Sequence, residues 1–177
     1  MSPYSECHEL LLSELINAIK QNKKRIEELV NSEDAYINGV HLDILPWHGF
    51  ICLSFRNRND ETDEKYPYEP GDWKNYLFIS DRAFQQSGEL IDKLYSNPPN
   101  GIEPRYVAHL LYLMAAEVLL DPSVATELQT CGLDAPEINC QEMSLKFEYL
   151  VMDADQVFKA NYCEVIIATR LKDFLLT

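Results

Sequence analysis

The sequence predicts one α+β domain over residues 1–177: an antiparallel sheet packed against a long N-terminal helix, a central apolar helix and a C-terminal helix. Three observations predict it. Apolar residues recur at three- and four-residue steps through the first thirty positions. "YINGVHLDI" and "FICLSFR" alternate apolar and polar residues with the period of a strand. "YVAHLLYLMAAEVLL" (106–120) is almost wholly apolar. At 177 residues the chain is long enough to bury a real core.

The elements follow in order. Leu12, Leu15, Ile16, Ile19, Ile26, Leu29 and Val30 form the buried stripe of one N-terminal helix. Ser2-Pro3 starts it and Asn31 to Asp34 ends it. In the first strand Val40, Leu42 and Ile44 share a face; Gly39, His41 and Asp43 share the other. In the second, Ile51, Leu53 and Phe55 oppose Cys52, Ser54 and Arg56. "LPWHGF" between them carries the Pro and Gly of a turn. Matching apolar to apolar pairs Ile44 with Ile51, Leu42 with Leu53 and Val40 with Phe55. The same register brings Asp43 opposite Cys52 and His41 opposite Ser54.

"NRNDETDEKYPYEPGDWKN" (57–75) reads as a long acidic loop, and "YLFIS" (76–80) as a short strand. Ser80-Asp81 caps a helix with the stripe Phe84, Ile91, Leu94 and Tyr95, stopped by "NPPNG". Pro104 opens the apolar helix, which ends near Asp121. Asp121-Pro122 restarts a short helix closed at Cys131-Gly132. "SLKFEYLV" (144–151) places Leu145, Phe147, Tyr149 and Val151 on one side of a half-buried strand. "DADQ" (153–156) resembles a capping box, and Val157, Phe158, Tyr162, Val165, Ile166 and Thr169 share one helical face. A helix over 154–175 is expected, with a strand in "CEVIIAT" as the alternative on β-branched content. No repeat, low-complexity tract or linker divides the chain.

The formal charge is −14, from 29 acids against 15 bases. Such a surface repels phosphate backbones and anionic lipid and attracts a basic protein. Neither nucleic acid nor membrane is expected as a partner. The apolar run 106–120 falls short of the ~20 residues that span a bilayer and contains His109 and Glu117. Five cysteines, Cys7, Cys52, Cys131, Cys140 and Cys163, include no CxxC. An odd number with no zinc spacing suits free thiols in a reducing cytoplasm. The opening "MSPYSECHEL" has no basic stretch followed by an apolar run, so no secretory signal is expected. No nucleotide, zinc-protease, nucleophile-elbow or EF-hand pattern occurs. With six glycines in the chain, phosphate-cradling loops have little material, and no cofactor is expected.

Three constellations carry candidate chemistry. His41, Asp43 and Cys52 have the residue types of Cys–His catalysis, with Cys52 as nucleophile, His41 as base and Asp43 as orienter. Against it, His41 faces Ser54, and reaching Cys52 diagonally spans ~7–8 Å between backbones. His41, Asp43 and His48, with His8, are the material for a metal site; His48 lies at the wrong end of the hairpin, and no metal is expected. The bland alternative is a polar sheet face, half exposed or covered by a helix. Cys7-His8-Glu9 is an ordinary helix start, and His109 an ordinary core histidine. The third constellation is a surface for a partner: Asp60, Glu61, Asp63 and Glu64 with Tyr68 and Trp73 in the long loop, and Trp47 at the hairpin tip. Carboxylates beside aromatics suit recognition of a basic surface. They equally suit packing of the loop on its own body.

A long helix, the strand pair "YINGVHLDI…FICLSF", a loop ending in "GDWKNYLF" and then helices together resemble the layout of small acidic bacterial proteins of unknown function. Some of these are immunity proteins of polymorphic toxin systems. The likeness covers most of the chain, rests on layout alone and assigns no residue a role. It implies a bacterial cytoplasmic protein. The expected function is a non-enzymatic protein-binding domain, with an immunity-type inhibitor of a basic toxin as one form. A small Cys/His-dependent hydrolase or transferase is the second reading. A structural or assembly subunit, using the first helix or the 106–120 helix as an interface, is the third. The oligomeric state is not encoded in any readable pattern.

Overall fold

The structure is a computed structural model that describes residues 2–32, 36–58, 73–137, 147–153 and 160–176. Among the described residues there are six α-helices and a four-stranded mixed sheet. Helix α1 runs Pro3–Gln21 and α2 runs Lys23–Val30. The expected single N-terminal helix is therefore broken at Asn22. The Asn22 side-chain amide donates to the Ala18 carbonyl at 2.9 Å, while its backbone N–H also turns back to Ala18 and Ile19. A short polar side chain that competes for helix carbonyls ends one helix and begins the next.

Strand β1 (Ile37–Leu45) and strand β2 (Phe50–Asn57) form an antiparallel hairpin in the register read from the sequence. Val40 pairs with Phe55, His41 with Ser54, Leu42 with Leu53, Asp43 with Cys52 and Ile44 with Ile51. The turn is a 3-10 helix, Pro46–His48, closed by Gly49 in the left-handed conformation at φ 58°. A Cβ on Gly49 would overlap the Gly88 carbonyl oxygen, and one on Gly88 would overlap that of Gly49. The hairpin tip thus seats backbone on backbone against α3 (Gln85–Ser96), which follows a 3-10 turn at Asp81–Phe84.

Strand β3 (Asn75–Ile79) pairs antiparallel with the far side of β2. Strand β4 (Glu148–Leu150) pairs with β1, giving the order β3-β2-β1-β4. The β1–β4 pair is parallel, which departs from the all-antiparallel expectation. Everything from β3 to α5 lies between these strands in sequence, so β4 returns after a crossover rather than a hairpin.

Helices α4 (Pro104–Leu119) and α5 (Pro122–Thr130) form where their prolines predict. The core joins α1 residues Leu11, Leu15 and Ile19 to Leu42, Leu53 and Phe55 of the sheet and to Leu111, Ala115 and Val118 of α4. Phe147, Tyr149 and Val151 enter the same core, as their alternation predicts. Among the described residues no single helix is long and apolar enough to cross a membrane. The C-terminal helix exists, but α6 spans Tyr162–Leu176. Its expected first turn falls on residues 154–159, outside those described. Residues 160 and 161 are not helical. Asn161 organises the start instead: its Oδ1 accepts from the N–H groups of Cys163 and Val151, and its amide donates to the Tyr149 carbonyl. Val165, placed on the buried face by periodicity, is exposed.

Candidate functional site

The second face of the hairpin is where the sequence concentrates its chemistry. The structure buries that face. His41 is 2 % exposed, Asp43 7 % and Cys52 fully covered, while Ser54 is also buried. Trp73 stands with its ring edge toward His41, centroids 5.8 Å apart and planes at 68°. The Tyr76 hydroxyl donates to Asp43 Oδ2 at 3.3 Å. The Leu77 backbone N–H donates to Ser54 Oγ at 3.1 Å. The segment 73–77 therefore lies across the polar face, and each of three polar side chains meets one of its residues.

Local geometry explains why 73–77 needs these partners. Two register pairs, Leu53 with Ile79 and Phe55 with Asn75, enclose extra residues on β3. The strand bulges there, and Leu77 takes a left-handed backbone at φ 53° with its side chain 42 % exposed. A non-glycine residue in that region carries a cost of roughly 1–2 kcal/mol. The bulge pulls the Leu77 N–H off the regular ladder, and Ser54 supplies its acceptor.

The electrostatics of the face oppose nucleophilic chemistry. Burial pushes the Cys52 thiol up to about 12; the charge of Asp43 pushes the same way, against a small opposing effect of Ser54. The nearest polar contact of its sulfur is Ser54 Oγ at 4.0 Å. A thiol so placed is protonated at neutral pH and is a poor nucleophile. Burial lowers the basicity of His41, and Asp43 offsets this only in part. Neither ring nitrogen of His41 has a hydrogen-bond partner. The register keeps His41 opposite Ser54, whose oxygen is engaged by Leu77. The three residues share a face, as expected, but are not assembled as nucleophile, base and orienter. At the margin of the face, Arg56 pairs with Glu148 of β4.

The other candidates resolve separately. No group of three or more His, Cys, Asp or Glu side chains converges as a metal site among the described residues. His48 is exposed at the hairpin tip, and His8 lies on α1. His109 is half-buried, and its Nδ1 is hydrogen-bonded to the Tyr162 hydroxyl. With Tyr112, whose hydroxyl donates to Asp153, it ties α4 to the chain entering α6. Cys7, Cys131 and Cys163 are free and buried. Trp73, expected as a partner anchor, is 4 % exposed and packs on its own body, the other reading its sequence allowed. Asp60, Glu61, Asp63, Glu64 and Tyr68 lie outside the described residues. Trp47 is half-buried, its ring meeting that of Tyr95 edge to face with centroids 6.2 Å apart.

Beside Trp47 lies a feature the sequence reading missed. A cleft of about 360 Å³ lies where the hairpin tip meets α3, lined by the acids Asp81, Glu89 and Asp92 together with His48 and Arg82. Gln85, Glu89 and Asp92 fall at helical spacing, so the acidic stripe was legible; its facing wall, built from the hairpin tip, was not. Comparison with protein families, with curated proteins and with solved structures finds no match, so the reading rests on this geometry.

Proposed function

We propose that this chain is a non-enzymatic protein-binding domain whose partner presents a basic surface, with an immunity-type inhibitor of a basic toxin in a bacterial cytoplasm as one form of it. One observation carries the choice of a binding protein over an enzyme. The constellation with catalytic residue types is occupied by its own chain, since Tyr76, Leu77 and Trp73 cover Asp43, Ser54 and His41. A buried, protonated Cys52 and an unpartnered His41 lend no support to the hydrolase or transferase reading.

The charge of −14 supports a basic partner. Long-range attraction raises the encounter rate, and salt screens it over a Debye length of about 8 Å at physiological strength. The cleft carboxylates and the loop acids Asp60, Glu61, Asp63 and Glu64 are the groups expected to steer. The test is capture of the partner from the native host, followed by binding kinetics. Association slows markedly as salt rises from low to physiological, and dissociation changes less. Changing the four loop acids to Lys weakens capture through the on-rate. A partner with a neutral or acidic surface, bound without salt dependence, would refute the charge argument. It would put the assembly-subunit reading ahead, with the exposed Tyr106 and Leu110 of α4 as the face to examine.

A further inference from the structure

We propose that His41 is an acid-operated catch: when its imidazole gains a proton, the 73–77 segment lifts from the polar sheet face while the apolar face and the helices stay packed. A buried imidazole ordinarily satisfies at least one ring nitrogen, because an unpartnered buried polar group costs free energy. Both nitrogens of His41 lack a partner, and Trp73 closes over the ring. The site tolerates the neutral ring, which behaves as a flat, largely apolar filler. A charged ring there has two N–H donors and, among the described residues, no acceptor hydrogen-bonded to either.

The surrounding charges decide the sign. On β1, Asp43 shares the face two residues along and attracts a proton to His41. Its Oδ2 already accepts from Tyr76 of β3. On β2, the opposed groups are Ser54 and the neutral thiol of Cys52, and Arg56 is held by Glu148 of β4. The residue of β4 in register with His41 is the apolar Leu150. Lys74, next to Trp73, is exposed. Among these, Asp43 alone favours the charged ring, and burial outweighs it. The folded ring thus binds its proton more weakly than a free histidine, whose value is about 6.5. The catch is fully closed above that value and loses stability as pH falls below it, because the open state takes up the proton.

The segment it holds lies on an edge strand whose pairing is irregular. Leu77 is in a left-handed conformation and partly exposed. Beyond the strand's ladder pairing with β2 at Asn75 and Ile79, the segment's hold on the polar face consists of the Ser54 and Asp43 hydrogen bonds and the Trp73–His41 ring contact. The apolar side of the same strands is locked into the core. Local opening therefore precedes global unfolding.

The experiment uses the full chain with Trp47→Phe, so that Trp73 is the single tryptophan. Acrylamide quenching and the emission maximum are followed from pH 8 to pH 4, with far-UV circular dichroism in parallel. Ring-carbon NMR of the unsubstituted chain follows all four histidines, which keeps the test independent of the variant. The expected result is reversible exposure of Trp73 below about pH 6.5 with helix signal retained, the open fraction rising by up to about tenfold per pH unit. His41→Gln in the same background abolishes that rise, whereas His48→Gln leaves it. Trp73 shielded down to pH 4 overturns the proposal, whatever the state of the ring. So does a His41 ring that titrates at or above the ordinary histidine range, or an acid transition retained in His41→Gln.

Discussion

The two faces of the β1–β2 hairpin are both buried, and they are buried by different means. Val40, Leu42, Ile44, Ile51, Leu53 and Phe55 enter a core shared with α1 and α4. On the other face a bulged edge segment meets His41, Asp43 and Ser54, and Cys52 is buried beside them. On the first face cohesion comes from apolar area and close packing, which are insensitive to pH and distributed over many contacts. On the second it comes from a few directional bonds, each dependent on one partner. A polar face is thus no sign of a wet face or of a catalytic one.

That contrast can be broken at three points, in descending order of effect. Leu53→Ala on the apolar face removes a fully buried side chain from the centre of the core. It is expected to cost about 3–5 kcal/mol by chemical denaturation. A loss under 1 kcal/mol would show that the core is not organised around this hairpin. Ser54→Ala removes the acceptor of the displaced Leu77 N–H. The expected loss is about 1–3 kcal/mol, with faster amide exchange at Leu77. A neutral outcome would mean that the bulge does not need its hydroxyl. The smallest effect concerns Cys52, which loses a sulfur from a covered site; Cys52→Ala is expected to cost about 1 kcal/mol. Its thiol, pushed up to about 12, resists alkylation in the native state at pH 7 and reacts on denaturation. Rapid, selective alkylation of Cys52 would restore the nucleophile reading.

The contrast also marks what could be read in advance. The hairpin register was legible because a one-residue slip moves all three apolar side chains of the slipped strand to the wrong face. The prolines of α4 and α5 and the glycine at Gly132, φ 87°, announced their own boundaries. What covers the polar face was not legible. Alternation assigns residues to a face, but the cover comes from residues 73–77, and a bulge leaves no periodic trace. The placement of β4 was hidden for a similar reason: "SLKFEYLV" fixes which side chains point inward, not whether the strand runs parallel or antiparallel to its neighbour. The break at Asn22 and the start of α6 at Asn161 both turn on a single amide side chain that bonds to backbone. The candidate site was half legible. His41, Asp43 and Cys52 share a face as expected, and the burial of that face was the part that alternation does not encode.

The glycine pair at the hairpin tip has a consequence for how this protein can change. Gly49 and Gly88 obstruct each other through main-chain atoms, so no side-chain substitution elsewhere makes room for a larger residue at either position. Ordinary core sites drift by exchange, one neighbour shrinking as another grows. Here there is nothing to shrink. The tip and α3 form a fixed joint, and variation around the acidic cleft is confined to its rim and helical wall, where Arg82, Gln85, Glu89 and Asp92 can be exchanged without moving the frame.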